Sequence, residues 1–385
     1  MTDASRSQYW DDYSNLQHVK HRLIHEYLNG WFPKLGSWAG RILYVDTHAG
    51  RGRHASGHEG SPLVALRTFL EHKHRERILR NCEVRFVFME ENPEHLSSLE
   101  SELATLVEQE PLSRGVTVDP YGDDFHTVMQ ESLDALRAAG RRMAPAFVFV
   151  DPHGFSLSYR VLRDLMGFAA VELFVNVMWR ELNMEIRNAR EQEGAARLLD
   201  FMFDGPTWRE KITAPGTEER CDETLSFIVS LVGAKWGTSV RMLGKNRVTR
   251  YVLLHLTNSD VGRDLMKTTM WKVCDPVDGT FLARKTDDPG QGVLLKPDPD
   301  SGPLADWLRN KLRHRPMRYA DLESALREEL WLNKHLAAVV REGRVTEDRK
   351  DGWLQATDYK GRFSAKANPL LRLTPGASRS TAAKQ

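Results

Sequence analysis

Four short apolar runs, "RILYVDT" (41–47), "VRFVFME" (84–90), "AFVFVDP" (146–152) and "VELFVNVM" (171–178), alternate with amphipathic stretches. No other feature constrains the fold of this chain as tightly. Each run is rich in Val and Phe and too short for a helix, so each reads as a strand. The stretches between them carry helix-start signals: Ser61 then Pro62 before "LVALRTFLEHKH", Asn92 then Pro93 before "EHLSSLESELATLV", and Asp124 before "FHTVMQESLDALRAAG". A capping side chain followed by Pro at the first helical position starts a helix with its free N–H groups satisfied. Strands that are apolar on both faces and alternate with helices belong to a parallel sheet covered on both sides. The expected fold is α/β and Rossmann-like.

Such a sheet binds its ligand at the carboxyl ends of its strands, near the point where strand order reverses. The unusual polar residues fall there. The first strand ends at Asp46 and enters "HAGRG"; the second ends at Glu90; a "GDD" turn at 122–124 precedes a helix; and Asp151 is followed by Pro152, His153, Gly154 and Phe155. Acids at successive strand or loop ends converge on one crevice. Arg51 and Arg53 flank Gly52, a placement that fits either a phosphate contact or a solvated loop. His48 and His21 fit structural hydrogen bonding as well as catalysis, and Asn176, late in an apolar run, needs a polar partner.

The ligand can be narrowed. A dinucleotide fingerprint reads GxGxxG and runs straight into a helix, whereas "AGRGRHASGHEGSP" interposes a loop before Pro62. Glu90 lies 38 residues beyond Gly52, against about 20 in that fingerprint. An acid ending the first strand is awkward beside a pyrophosphate but suits a ligand with positive charge and an amine, such as S-adenosylmethionine. On this reading Gly50 and Gly52 admit the ligand close to the backbone, Glu90 accepts from ribose hydroxyls and Asp123 meets the adenine amine.

"YVDTHAGRGRH", "GSPLVAL", "FMEENP", "FVFVDPHG" and "YVLLHLTNSDVGRDLMKTTMWKV" resemble the three-Cys-motif partner proteins, a class I methyltransferase-like family encoded beside a three-cysteine-motif protein. The resemblance runs from about residue 16 to beyond 340. More distantly, the chain is similar to ribosomal RNA adenine-N6 methyltransferases. Asp46, His48, Gly50, Gly52 and Arg53 match their "LDTHAGAGRY" motif, Gly60, Ser61 and Pro62 a "GSP" element, Glu90 and Pro93 an "ExxP" element, and Lys20 and His21 a "KH" pair. Asp151 and Pro152 match the start of their catalytic "DPPY" motif, which holds the target nitrogen between the Asp and a backbone carbonyl while the aromatic stacks on the flipped base. This chain departs there, with His153 and Gly154 in place of Pro and Tyr; His153 or Phe155 would supply the stacking face.

The resemblance implies a methyltransferase with S-adenosylmethionine held by Asp46, His48, Gly50, Gly52, Ser61, Glu90 and Asp123. Asp151, Pro152 and His153, with Lys20 and His21 at the rim, would act on the acceptor, an amino group of a nucleic-acid base, with Arg51, Arg53, Phe155 and Asn176 contacting the substrate. Two rivals stand beside this. One is a non-catalytic partner of the three-cysteine protein, disfavoured because a relic has no reason to keep costly, partly buried carboxylates. The other uses the same cofactor for a different transfer, or modifies that protein.

The second half is organised differently. Residues 179–235 read as a helical insertion, "RYVLLHLTN" (250–258) as a strand and 260–273 as a helix, closing a first domain at about 275. Residues 276–302, rich in Pro, Gly and Asp, read as a linker or irregular hairpin. Three helix patterns and a short hairpin over 303–360 resemble a winged helix, and 361–385 reads as a disordered tail. Arg309, Lys311, Arg313, Arg315 and Arg318 give that module a local basic excess, suited to RNA or DNA phosphates or to an ordinary solvated face. The formal charge of the whole chain is +1, so no global field advertises nucleic acid or membrane. Three cysteines far apart argue against a disulfide framework and a structural zinc site. With no signal-peptide core and no run of about 18 apolar residues, a cytoplasmic location is expected.

Overall fold

The structure, a computed structural model, describes residues 15–152, 154–155, 157–244, 247–277, 280–284, 299–347, 350–359 and 361–375. The chain divides into two compact units, Met1–Gly290 and Gln291–Gln385.

The first unit is built on nine strands: β1 (Arg41–Asp46), β2 (Glu83–Met89), β3 (Val116–Tyr121), β4 (Ala146–Val150), β5 (Val171–Val177), β6 (Trp236–Leu243), β7 (Thr249–Thr257), β8 (Asp275–Val277) and β9 (Thr280–Arg284). They form one sheet in the order β3-β2-β1-β4-β5-β7-β6-β9-β8. β1 to β5 are parallel, and β7 runs antiparallel between β5 and β6. The order 3-2-1-4-5-7-6 with strand seven reversed is that of a class I methyltransferase sheet, so the Rossmann-like expectation holds. The stretch read as a linker or irregular hairpin begins as β8 and β9, which extend this sheet.

Around the sheet lie α1 (Asn15–Leu35), α2 (Ser61–Leu70), α3 (Arg75–Leu79), α4 (Pro93–Gln109), α5 (Phe125–Ala138), α6 (Tyr159–Met166), α7 (Trp179–Asn188), α8 (Glu193–Met202), α9 (Trp208–Lys211), α10 (Thr217–Leu231) and α11 (Asp260–Val273). The capping chemistry is as expected at α4, where the Asn92 side chain accepts from the Glu94 and His95 N–H groups at 2.9 and 3.1 Å, and at α5, where Asp124 accepts from Thr127. At α2 it differs. Gly60 is the capping residue and Ser61 lies inside the helix, because the Gly60 N–H donates to the Gly52 carbonyl at 2.7 Å and a Cβ on Gly60 would meet that oxygen at 2.9 Å. Ser61 is thereby freed for another partner.

Strand pleating sorts the apolar runs by shape. On β4 and β5, Ala146, Val148, Val150, Leu173 and Val175 join an aliphatic core with α5, α6, α7 and α10 residues. Phe147, Phe149 and Phe174 point the other way, toward Tyr44 and the aromatic face of α1, Tyr27 and Trp31. α1 packs there against α2 and α11. Two polar residues of β5, Glu172 and Asn176, share that aromatic face. Glu172 is satisfied by the Tyr27 hydroxyl and by His255 Nε2 at 2.9 Å. Asn176 belongs to the site.

The second unit contains α12 (Gly302–Leu312), β10 (Met317–Arg318), α13 (Tyr319–Ala325), α14 (Asn333–Gly343), β11 (Leu354–Thr357) and β12 (Leu370–Leu373). Its strands pair antiparallel in the order β10-β12-β11 over a separate core that includes Leu304, Leu308, Leu322, Leu336 and Leu371. Residues 376–385 of the tail lie outside the described residues. No helix among the described residues is long and apolar enough to cross a membrane.

Candidate functional site

Strand order reverses between β1 and β4, so the crevice opens at the carboxyl ends of these two strands. Asp46 ends β1 with no solvent exposure. The His48 N–H donates to its Oδ1 at 3.3 Å, and the nearby Ser61 hydroxyl favours the ionised carboxyl. Its Oδ2 is buried with no hydrogen-bond partner among the described residues. Burial above all, with the nearby charge of Asp151, pushes the Asp46 carboxyl up to about 7; Ser61, the His48 N–H and Lys20 act against that rise.

The loop after β1 turns beneath this acid. Gly50 and Gly52 have φ of 65° and 81°, the left-handed region that favours glycine. Ala49 is pinned by its N–H to the Met89 carbonyl at 2.8 Å. Glu90, directly after β2 and 4% exposed, accepts from the Gly50 N–H at 2.8 Å and from the Asn92 N–H at 2.9 Å, so one carboxylate ties the glycine loop to the start of α4. Thr47 Oγ1 lies 2.7 Å from His48 Nδ1, and the His48 ring sits 6.0 Å from that of Phe125.

Asp151 follows β4 directly. Lys20 on α1 forms an ion pair with its Oδ2, and Asn176 Nδ2 on β5 donates to its Oδ1 at 2.6 Å. The amide orientation of Asn176 follows from this contact, since its oxygen would repel the carboxylate. Asn176 Oδ1 is then buried with no hydrogen-bond partner among the described residues. The Lys20 side chain is 4% exposed and that of Asp151 12%. Beside them the His21 and His54 rings stand 6.0 Å apart. Burial first, then the positive charge of Lys20, keeps both imidazoles neutral, holding His21 well below its ordinary value and His54 down to about 4.

The structure thus brings Lys20, Asp151 and Asn176 into direct contact, close enough to Asp46 to act on its carboxyl, with Glu90 on the adjoining loop. Other residues singled out in the sequence have surroundings of their own. Asp123 is exposed next to the Asp124 cap. Arg53 is engaged by Glu102 at 2.8 Å and by the Gly57 carbonyl at 2.9 Å. Arg51 has an exposed side chain, and its carbonyl accepts from Ser98. Phe155 packs against the aliphatic core, and Pro152 is buried. His153 lies outside the described residues. The sequence signalled Lys20 through its "KH" pair but not its partner, 131 residues away. It gave no signal for Trp179, the first residue of α7, whose buried Nε1 has no hydrogen-bond partner among the described residues.

No protein-family model matches the chain, and no curated protein does. Solved structures that resemble it include a putative methyltransferase from Porphyromonas gingivalis W83, at 9% identity and TM-score 0.26 over 59% of this chain and 39% of that one. They include the methyltransferase domain of bacterial CtHen1, at 12% identity and TM-score 0.29 over 61% of this chain and 99% of the other. Human methyltransferase-like protein 13, solved in complex with SAH, matches at 11% identity and TM-score 0.32 over 68% and 94% of the two chains. The chain spans about two fifths of the length of the first of these. The fold assignment rests on the chain's own strand order.

Proposed function

We propose that this chain is an S-adenosylmethionine-dependent methyltransferase acting on an amino group of a nucleic-acid base. The observation that carries the reading is the pair of buried acceptor atoms with no described partner, Asp46 Oδ2 and Asn176 Oδ1, at the carboxyl ends of β1 and β5 on either side of Asp151. Buried acceptors of this kind cost about 1–3 kcal/mol each unless a donor reaches them, and a ligand rich in N–H groups supplies donors.

The residues fit the cofactor. Asp46, ending β1 above two left-handed glycines, would take the ammonium or sulfonium charge, and Glu90 would accept from ribose hydroxyls through the lone pairs its two backbone contacts leave. When bound, S-adenosylmethionine supplies an electrophilic methyl group. The chain's own part is to hold the acceptor. A base amine has two N–H donors, and the geometry offers two acceptors: the Asp151 carboxylate and Asn176 Oδ1. Lys20 keeps Asp151 ionised, so that Asp151 accepts a hydrogen bond rather than donating one. Neutral His21 and His54 add no competing positive charge at the rim. Held in this way, the nitrogen's lone pair is free for attack, and the rate gain comes from orientation. Phe155, one of the two rings the sequence offers as a stacking face, packs against the core. The basic module beyond residue 303 would help select the substrate as a winged-helix-like element.

Calorimetric titration with S-adenosylmethionine and its demethylated product tests the cofactor, with Asp46→Ala alongside. Micromolar binding lost in the variant supports the assignment, and transfer of labelled methyl groups to RNA or DNA then tests the acceptor. Folded protein that binds neither compound removes the reading.

A further inference from the structure

The opposite end of the sheet carries a second concave site. The end of α1, the short helix α3 and the two residues after it enclose a cavity of about 400 Å³, lined by Ser37, His74, Arg77, Arg80 and Asn81 over an apolar floor of Pro33 and Ile78. α1 leads into β1 at Arg41 and α3 into β2 at Glu83, so the cavity lies at the amino ends of these strands. Asp46 and Glu90 lie at the carboxyl ends, about 20 Å away along a six-residue strand.

The lining contains three basic or imidazole side chains and no acid. Arg77 and Arg80 are exposed, and neither makes a hydrogen bond or an ion pair among the described residues. Arginines on the adjoining elements are committed: Arg41 to Glu83, Arg85 to Asp119 and Arg75 to the Leu70 carbonyl. Among nearby acids, Glu71 and Glu83 are taken by Arg67 and Arg41, which leaves Glu76, exposed on α3, as the opposing charge. Directly after Ser37, Trp38 is 66% exposed, the most exposed large hydrophobic side chain among the described residues. An open arginine pair beside an exposed indole is the combination that grips a single strand, phosphate by charge and base by stacking.

We infer that this cavity holds a phosphate of a single-stranded polynucleotide, bound by Arg77 and Arg80, with an adjoining base stacked on Trp38. The inference rests on the proposed function only in choosing a polynucleotide over another phosphate carrier.

Fluorescence anisotropy with labelled single-stranded RNA and DNA of mixed sequence, on the full chain, tests it. The double variant Arg77→Ala/Arg80→Ala is expected to bind roughly tenfold more weakly, with its log–log salt slope reduced by about 0.7, the value for one phosphate contact on a single strand. Trp38→Ala is expected to lose about fivefold or more. Arg141→Ala/Arg142→Ala, which removes the same charge from exposed positions elsewhere, should change little. Calorimetry with the demethylated cofactor separates the two ideas: unchanged cofactor affinity in the variants shows that fold and crevice are intact. Equal losses in both double variants, or unchanged affinity and slope in Arg77→Ala/Arg80→Ala, would overturn the inference. So would competition by inorganic phosphate or a mononucleotide without any effect of the variants on polynucleotide binding, which would assign the cavity to a free anion.

Discussion

Asp46 is where stability and function pull apart. In the unfolded chain its carboxyl titrates near its ordinary 3.8, whereas in the fold burial raises it to about 7. The folded state therefore holds the proton more tightly, and the contribution of Asp46 to stability is greatest below about pH 4 and falls as pH rises toward 7, by an amount on the order of 4 kcal/mol. Asp46→Asn removes the buried charge at nearly constant volume. It is expected to melt above the parent at pH 8, with the difference narrower at pH 5 and closing below about pH 4, and to lose at least tenfold in cofactor affinity; thermal scans at these pH values and calorimetry check this. A lower melting temperature at pH 8 would show that Ser61 and the His48 N–H outweigh the burial cost. A cationic ligand also favours the ionised form, so cofactor affinity in the parent should rise with pH up to about 7. The Lys20–Asp151 contact is an ion pair, in which each charge stabilises the other. Removing Asp151 takes the carboxylate from a lysine whose side chain is 4% exposed, so Asp151→Ala is expected to cost about 3 kcal/mol or more and to abolish methyl transfer. Cofactor binding should persist, since that assignment does not pass through Asp151. Denaturant titration and calorimetry on the same variant separate the two effects.

At the scale of elements, the glycine loop is the stiffest joint of the site. Gly52 combines a φ of 81° with a Cβ position that would meet Leu99 at 3.1 Å and Glu102 at 3.3 Å. Gly52→Ala must both strain its own backbone and push α4 outward, and is expected to destabilise the fold by about 1–3 kcal/mol and to weaken cofactor binding with it; urea unfolding measures the first and calorimetry the second. How much of this was legible in the sequence depends on which physical signal each element carries. β4 and β5 are buried on both faces, and β1 and β2 are buried on one face and largely covered on the other, so their runs stand out, and a parallel sheet puts the informative acids at the strand ends, where Asp46, Glu90 and Asp151 are found. β3 gives no comparable signal because "VTVDPY" includes Pro120 and Asp119, and the sheet tolerates them only because β3 lies on its edge. β6, "WGTSVRML", hides its strand character in Thr238, buried beneath Arg263 rather than beneath apolar side chains. The helix start at "GSP" was legible but not its division of labour: a side-chain cap predicts Ser61, whereas the close approach of two backbones requires Gly60 and leaves Ser61 to Asp46. Contacts across long separations, such as Lys20 to Asp151 and Asn176 to Asp151, leave no trace in local pattern.

At the scale of the whole molecule, each unit buries its own core, and their basic residues are used differently. The sequence weighs Arg309, Lys311, Arg313, Arg315 and Arg318 equally between phosphate contact and ordinary surface. In the structure Arg309 pairs with Asp306 and lies over the Trp353 ring at 4.4 Å, Lys311 lies 5.6 Å from the Trp307 ring, and Arg318 pairs with Asp358 at 2.9 Å. Arg309, Lys311 and Arg318 thus have partners within their own unit, and such contacts compete with phosphate. Arg77 and Arg80 in the first unit have no such competitor among the described residues. A fragment ending at Gly290 is therefore expected to keep cofactor affinity within about twofold and to keep most of its affinity for short single strands, losing about threefold or less, since a paired arginine contributes little to counterion release. Because the second unit has a separate apolar core, the full chain should also unfold in two steps where the fragment unfolds in one. Calorimetric unfolding and anisotropy on the fragment and the full chain check both halves. A fragment that binds cofactor normally but loses single strands by more than tenfold would move the main nucleic-acid contact to residues 291–385, and would make the second unit the reader of the substrate rather than a module that refines its choice.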